Sequence, residues 1–250
     1  MAECTISSRR CNRAQGAIVQ FRNFLLSALD PADLAALGPH LVEAPLNRAQ
    51  VLYEPGDTVD ALYFPGSACV SVLTVLDNGE AVETSTIGRE SAAGLLNGLT
   101  GQPASQRMFA QIGGSVLKIS ASVYTDRFEQ SPALRRLSLL HTRAIAIQAE
   151  QSVACNLAHS VTSRLARWLL MTQDRVGANA FFITQDYMAM MTGMQRTTVS
   201  QAAAVLKSRK IINYSRGALT VVDRAALEHT ACECYATVAA QFEDMRALKE

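Results

Sequence analysis

Apolar and polar positions change period twice along this chain. From about Ala44 to Ile119 the apolar residues come in short runs, QVLYE, ALYFP, CVSVLTVL, AVETSTI and SVLKIS, rich in Val, Leu, Tyr and Thr. Turn signals separate them: Pro55-Gly56-Asp57, Pro65-Gly66, Asp77-Asn78-Gly79, Gly88 and Gly113-Gly114. β-Branched and aromatic residues suit a pleated, half-buried surface, so strands this short and closely spaced predict a β jelly roll or a related barrel. In LDNGEAV, Asn78-Gly79 favours the positive φ angles of a tight hairpin turn. Ahead of the barrel, LDPADLAALGPHL predicts a short helix with Asp30 as N-cap, Pro31 in the first turn and Gly38-Pro39 as the stop.

From Ser131 the period becomes helical. Leu137, Leu140, Ala144, Ile147, Gln151, Ala154 and Ala158 alternate steps of three and four, which predicts one helix from near Pro132 to His159 with a heptad seam. A helix of that length exceeds what a small domain buries on one side. A partner helix in a symmetric dimer would cover the seam; packing against its own barrel is the alternative. VTSRLARWLLMTQDRV follows as an amphipathic helix with Leu165, Trp168, Leu169 and Met171 towards a core, and ANAFFI as a short extended piece.

The next stretch, ITQDYMAMMTGMQRTTVSQAAAVLKSRKII, predicts two short helices. Thr184 caps the first, which buries Met188, Met191 and Tyr187. Thr192-Gly193-Met194 makes a tight turn in which glycine is free to be left-handed. The second helix runs from about Arg196 to Ser208 and buries Val199, Ala203 and either Leu206 or Val205. IINYSRGALTVV then supplies two β-prone runs around Ser215-Arg216-Gly217, and a polar helical tail closes the sequence.

Composition narrows the function. The chain has 250 residues, 49% of them hydrophobic, enough for one or two cored domains, and no apolar run nears the roughly 20 residues of a membrane span. The polar start MAECTISSRRCNRAQG lacks an apolar signal core, so a cytoplasmic location is expected. The net charge of +1 is unevenly spread. Leu41 to Gln130 carries five Lys/Arg against ten Asp/Glu, whereas His159 to Arg224 carries nine against three. A basic segment behind an acidic domain suits a polyanionic partner. The cysteines at 4, 11, 69, 155, 232 and 234 are scattered, and Cys232-x-Cys234 alone is too short to define a metal site, so no metal is expected. A cupin-type metal enzyme needs histidines inside its barrel; none falls between Leu41 and Leu140. Neither a G-x-S-x-G nor a P-loop occurs, so no catalytic residues and no enzymatic activity are expected.

Two short helices joined at glycine, the second opening with hydrogen-bonding side chains, have the form of a helix-turn-helix, with the final hairpin as its wing. The second helix enters the major groove of double-stranded DNA. Arg196 suits guanine O6 and N7 or a phosphate, Gln201 adenine, and Thr197 a base edge or a thymine methyl. Thr198, Ser200 and Thr184 suit phosphates, the last with help from the helix dipole. Lys207, Arg209, Lys210 and Arg216 add sequence-independent attraction that weakens with salt.

This layout, from about Pro45 to Val222, resembles the CRP/FNR family of bacterial transcription regulators, most specifically in VTSRLARWLL and ITQDYMAMMTGMQRTTVSQAAAVLKSRKII. The resemblance implies an α+β chain acting as a homodimer at promoter DNA, with RNA polymerase as a further partner. Its parts would be a tail (1–24), a jelly-roll sensor barrel (25–131), a dimerisation helix (132–159), a winged helix-turn-helix (160–228) and a C-terminal tail (229–250). In the family the recognition helix usually begins Ser-Arg; here Gln195-Arg196 stands there, so only the arginine is kept and the N-cap is weaker. The family's cyclic-AMP-binding members hold the nucleotide with a Gly-Glu-Leu stretch and an Arg-Ser pair. The matching segment, GLLNGLTGQPASQRMF, keeps Gly94 and Leu96 but has Leu95 for the glutamate. Ser105 and Gln106 fall at the Arg-Ser pair, Arg107 is displaced by two positions, and Ala149-Glu150 replaces the helix hydroxyls. The expectation is no cofactor and no ordinary cyclic AMP binding, leaving an effector of unidentified chemistry or none. Cys4, Cys11 and Cys69 lack the C-x-x-C pair of the family's iron–sulfur sensors, and His40, His141 and His159 read as ordinary polar residues rather than haem ligands. The alternative is a cyclic-nucleotide- or redox-responsive protein whose output is a protein partner.

Overall fold

A computed structural model describes residues 22–246. Two short helices, α1 (Phe24–Ser27) and α2 (Pro31–Leu37), and one turn of 3-10 helix lead into the barrel. Asp30 accepts the Asp33 N–H at 2.7 Å and Pro31 opens α2, as the sequence predicts. The tail proposed for residues 1–24 mostly lies outside the described residues, but its end does not behave as one. Asn23 is buried, caps α1 through the Leu26 N–H, and donates to the carbonyls of Pro65 and Ser91.

The barrel comprises β1 (Val42–Leu46), β2 (Val51–Tyr53), β3 (Ala61–Pro65), β4 (Cys69–Val75), β5 (Ala81–Ile87), α3 (Leu95–Thr100), β6 (Arg107–Ile112) and β7 (Gly114–Ser120). They form antiparallel sheets ordered β1-β7-β3 and β2-β6-β4-β5. Their shared interior is apolar: Leu46 and Val116 meet Tyr53, Val70, Val72, Ile87 and Met108. All five predicted runs are strands. β1 escapes the sequence pattern because it is an edge strand, largely exposed, with Pro45 near its end. The β4–β5 hairpin differs in detail from expectation. Gly79 has φ +84° and its N–H reaches the Leu76 carbonyl at 2.8 Å, whereas Asn78 has no positive φ. The connection is therefore a longer loop with a left-handed glycine, not a two-residue turn.

Next come α4 (Ala121–Gln130) and the long α5 (Pro132–Ala158). Ser131 accepts the Leu134 N–H at 3.1 Å and donates to buried Asp33 at 2.8 Å, while Arg127 binds the same carboxylate at 2.5 Å. This fixes α2, α4 and α5 together. The extent of α5 matches expectation; the orientation of its seam does not. Leu137 and Ala144 are buried in their own chain, and Gln151 donates to Cys234 Sγ at 3.0 Å. The open face is instead Leu139, Arg143, Ala146, Glu150, Val153 and Leu157, again in steps of four and three.

Beyond α5 lie α6 (Val161–Val176), β8 (Ala180–Phe182), α7 (Gln185–Thr192), α8 (Arg196–Ser208), β9 (Ile212–Ser215), β10 (Ala218–Val221), α9 (Arg224–Thr230) and α10 (Cys234–Arg246). α9 crosses the boundary expected at 228. The supposed C-terminal tail is a packed helix: Val238, Phe242 and Met245 of α10 are buried with Leu25 and Leu26 of α1 and Leu137 of α5. Spaced four and three apart, they form an apolar stripe whose partner the sequence does not reveal.

The α6–α8 unit docks on the barrel. One core cluster holds Leu73, Phe109 and Ile112 of the barrel with Trp168, Met188 and Val199. Phe109 and Tyr187 stack at 5.9 Å, and Arg48 lies over the Phe182 ring at 4.3 Å. Polar groups are buried here too. Arg175 pairs with Glu90 at 2.7 Å and donates to Gln148, whose amide reaches the Thr86 carbonyl at 3.1 Å.

Candidate nucleic-acid interface

Helix α7 starts where its cap dictates: the Thr184 hydroxyl accepts the Tyr187 N–H at 3.2 Å. It stops at Gly193, whose φ of +60° is left-handed, and the Met194 N–H closes on the Ala189 carbonyl at 3.0 Å. Beneath, Met188, Met191, Val199, Ala203 and Leu206 are buried; Val205 is exposed, which resolves the choice between it and Leu206. Helix α8 begins at Arg196 after Gln195, which makes no side-chain cap bond.

The outward side of α8 carries Thr197, Gln201, Ala204 and Ser208, all exposed and spaced four, three and four apart. Ala204 and Ser208 belong to this stripe although sequence reasoning did not select them; their spacing from Gln201 was the available signal. Thr198 and Ser200 are half-buried, and the Ser200 hydroxyl back-bonds to the Arg196 carbonyl at 2.8 Å. Lys207 donates to the Tyr214 carbonyl at 3.0 Å, tying α8 to the wing.

The wing is the sheet β8-β10-β9. Arg216 and Gly217 both have positive φ, +50° and +87°, the pattern of a type I′ hairpin turn. A Cβ on Gly217 would stand 2.4 Å from the tip of the Phe182 ring, and its left-handed φ strains any side chain, so glycine is strongly favoured here. Between wing and helices opens a cleft of about 390 Å³ lined by Thr184, Gln185, Asp186, Arg196, Tyr214 and Arg216. The structure thus brings Thr184, Arg196 and Arg216 to the walls of one open cleft. Arg196 spans 3.3 Å to Asp186, both well exposed, a pair too solvated to hold the guanidinium firmly.

The residues matched to a nucleotide pocket are placed differently. Gly94 caps α3; Leu95 is buried in the apolar cluster with Leu62, Ile119 and Leu134; Leu96 points outward. Ser105 is exposed and Gln106 half-buried. Arg107 pairs with Glu54 at 3.3 Å at the surface, and Glu150 lies on the open face of α5. Another cavity, about 290 Å³, lies between α6, α10 and the β5–α3 loop and is lined by Arg89, Glu90, Asp174, Arg224 and Phe242. His141 is a polar residue of α5, as expected. It is buried, its Nε2 accepts the Ala92 N–H at 3.2 Å, and burial lowers its pKa to about 4.

A winged helix-turn-helix with a free, polar leading helix, set behind a β-barrel and a long connecting helix, defines a DNA-binding transcriptional regulator. A model of the Crp-like helix-turn-helix domain matches residues 163–230, and one of the cyclic nucleotide-binding domain matches residues 44–131. Together they cover more than half of the chain, which belongs to the CRP/FNR family of transcriptional regulators. Among its relatives, the global nitrogen regulator of Synechocystis is 24% identical over 200 residues, 76% of this chain and 88% of that protein. The Nostoc global nitrogen regulator is 26% identical over 192 residues, 73% and 86% of the two chains. In structure, FixK2 from Bradyrhizobium japonicum superposes with a TM-score of 0.66 at 17% identity, over 77% of this chain and 98% of its own. The c-di-GMP-responsive regulator CLP of Xanthomonas campestris gives 0.61 at 14%, over 77% and 99%.

Proposed function

We propose that two copies of this chain pair through α5 and read a roughly palindromic promoter site in the cytoplasm. The exposed stripe Thr197, Gln201, Ala204 and Ser208, flanking the cleft of Thr184, Arg196 and Arg216, carries this reading. Arg196 leaves its weak pair with Asp186 to fork onto guanine or a phosphate. Gln201 pairs with adenine, and Thr197 and Ala204 meet base edges or thymine methyls. Thr184, Gln195, Thr198, Ser200, Lys207 and Arg216 contact the backbone.

Pairing is supported by the open face of α5, where Leu139 (65% exposed), Val153 (63%) and Leu157 (86%) leave water only if a second copy covers them. The two α8 helices then enter successive major grooves about 34 Å apart, where the bound regulator meets RNA polymerase. The barrel acts as a sensor without cyclic AMP in the usual manner, because Leu95 is core and Arg107 faces Glu54 at the surface.

A mobility-shift assay on a duplex selected from random sequence tests the proposal. Arg196→Ala should weaken binding at least about tenfold, and Gln201→Ala should relax discrimination at one base pair per half-site by about 1–3 kcal/mol. Wild-type affinity and specificity in both variants would overturn it.

A further inference from the structure

Four side chains outside the DNA interface converge at the junction of α5, α6 and α10. Cys155 and His159 lie one turn apart at the C-terminal end of α5, so both point from the same helix face. Cys232 lies in the link from α9 to α10, and Cys234 opens α10. Cys155 Sγ is 3.5 Å from Cys232 Sγ, Cys234 Sγ is 3.5 Å from His159 Nδ1, and all four candidate ligand atoms lie within 4.8 Å of one another. The three cysteines are buried and the histidine half-buried. We propose that Cys155, His159, Cys232 and Cys234 form a structural Cys₃His site for a single zinc ion.

The dimensions suit this ion. With Zn–S near 2.3 Å, a tetrahedron holds its sulfurs roughly 3.8 Å apart, so the ligands need only small movements. An iron–sulfur cluster spreads its ligands over the corners of a larger body, whereas these atoms close around one centre. The surroundings are those of a metal site as well. His159 presents Nδ1 to the cluster while its Nε2 lies 3.0 Å from a Glu233 carboxylate oxygen, the arrangement that fixes a ligating imidazole's tautomer. The Gln151 amide donates to Cys234 Sγ. Three thiolates and a neutral imidazole around Zn²⁺ carry a net charge of −1, and the guanidinium groups of Arg164 and Arg167 interact electrostatically with Cys155 to offset it.

The position gives the ion a task. His159 caps α5, with Ser160 between it and α6, and Cys155 and His159 are joined through the metal to the segment that starts α10. Arg164, the neighbouring cation, donates to the Thr192 carbonyl at the helix-turn-helix turn and to the Asn156 carbonyl at 3.3 Å. Zinc therefore pins α10 to the hinge from which the DNA-binding unit departs.

Full-length protein purified with reductant should contain one zinc per chain by inductively coupled plasma mass spectrometry. Cobalt should replace it, giving the visible bands of a tetrahedral site and a thiolate-to-cobalt charge-transfer band. Cys232→Ser and Cys155→Ser should lose stoichiometric metal, while Cys4→Ser/Cys11→Ser keeps it. The cobalt titration uses wild-type protein, so a variant that fails to fold does not remove the test. Trace metal only, with no charge-transfer band on adding cobalt to the metal-free reduced protein, would overturn the proposal. So would iron with inorganic sulfide at the site, or a Cys155–Cys232 disulfide in place of metal.

Discussion

Replacing Glu83 with glutamine should change how stability depends on pH, and the structure sets the size of the effect. Glu83 lies on β5 where the barrel meets α6. One oxygen accepts the Trp168 indole N–H at 3.1 Å; the other is buried without a hydrogen-bond partner among the described residues. Arg167 lines the same small cavity and Arg175 lies within electrostatic reach, but neither is paired with the carboxylate. Burial dominates, against smaller opposing contributions from the Ser71, Trp168 and Thr86 side chains, and lifts the pKa from 4.5 to about 7. A carboxyl whose pKa is raised by folding contributes stability that is complete below the unfolded value and lost as pH rises through the folded one. The loss accumulates between 4.5 and about 7 and reaches about 3 kcal/mol. A glutamine side chain in its place keeps an acceptor for Trp168 and cannot ionise. Urea unfolding followed by fluorescence of Trp168, the single tryptophan, should show the variant gaining on wild type by about 3 kcal/mol between roughly pH 4 and pH 8. A stability difference that stays constant across that range would refute the reasoning. The same charge lies at the seat of the DNA-binding unit, so the wild-type contact between barrel and α6 weakens as Glu83 ionises.

His141 works in the opposite direction: its lowered pKa means stability is complete above about 6.5 and falls towards pH 4, and His141→Gln should flatten that acid limb in the same unfolding assay. Gly217→Val should disorder the wing, because a side chain there meets the Phe182 ring and φ is +87°; DNA affinity should drop while the thermal transition of the barrel stays in place. Val153→Glu with Leu157→Glu should convert a dimer into a monomer by light scattering, and should cost DNA affinity without unfolding α5, since both side chains are exposed in a single chain.

Local chemistry made much of this molecule legible. Caps at Asp30 and Thr184, the Gly193 turn and the apolar spacing of α6 and α8 each act over a few residues, and each is where the sequence puts it. What escaped depends on distant partners. The period of α5 was readable, but which side faces solvent depends on α10, and nothing local says that its stripe Val238, Phe242 and Met245 returns to α5. Cys155-x-x-x-His159 and Cys232-x-Cys234 are each unremarkable, and become a set of four only because α10 returns to α5. Leu95 shows the reverse: its substitution for a family glutamate was visible, and its burial among apolar neighbours gives that change its physical meaning.

The return of α10 to α1 also dictates an order of assembly. Leu25 and Leu26 share a core with Val238, Phe242 and Met245 from the far end of the chain, so that part of the barrel's flank stays open during synthesis. Only after the winged domain has left the ribosome does the segment arrive that closes it. The barrel half thus completes its folding last, and a nascent chain halted before Cys234 would present Leu25, Leu26 and Leu137 as a ready surface for chaperones or proteases rather than a closed barrel.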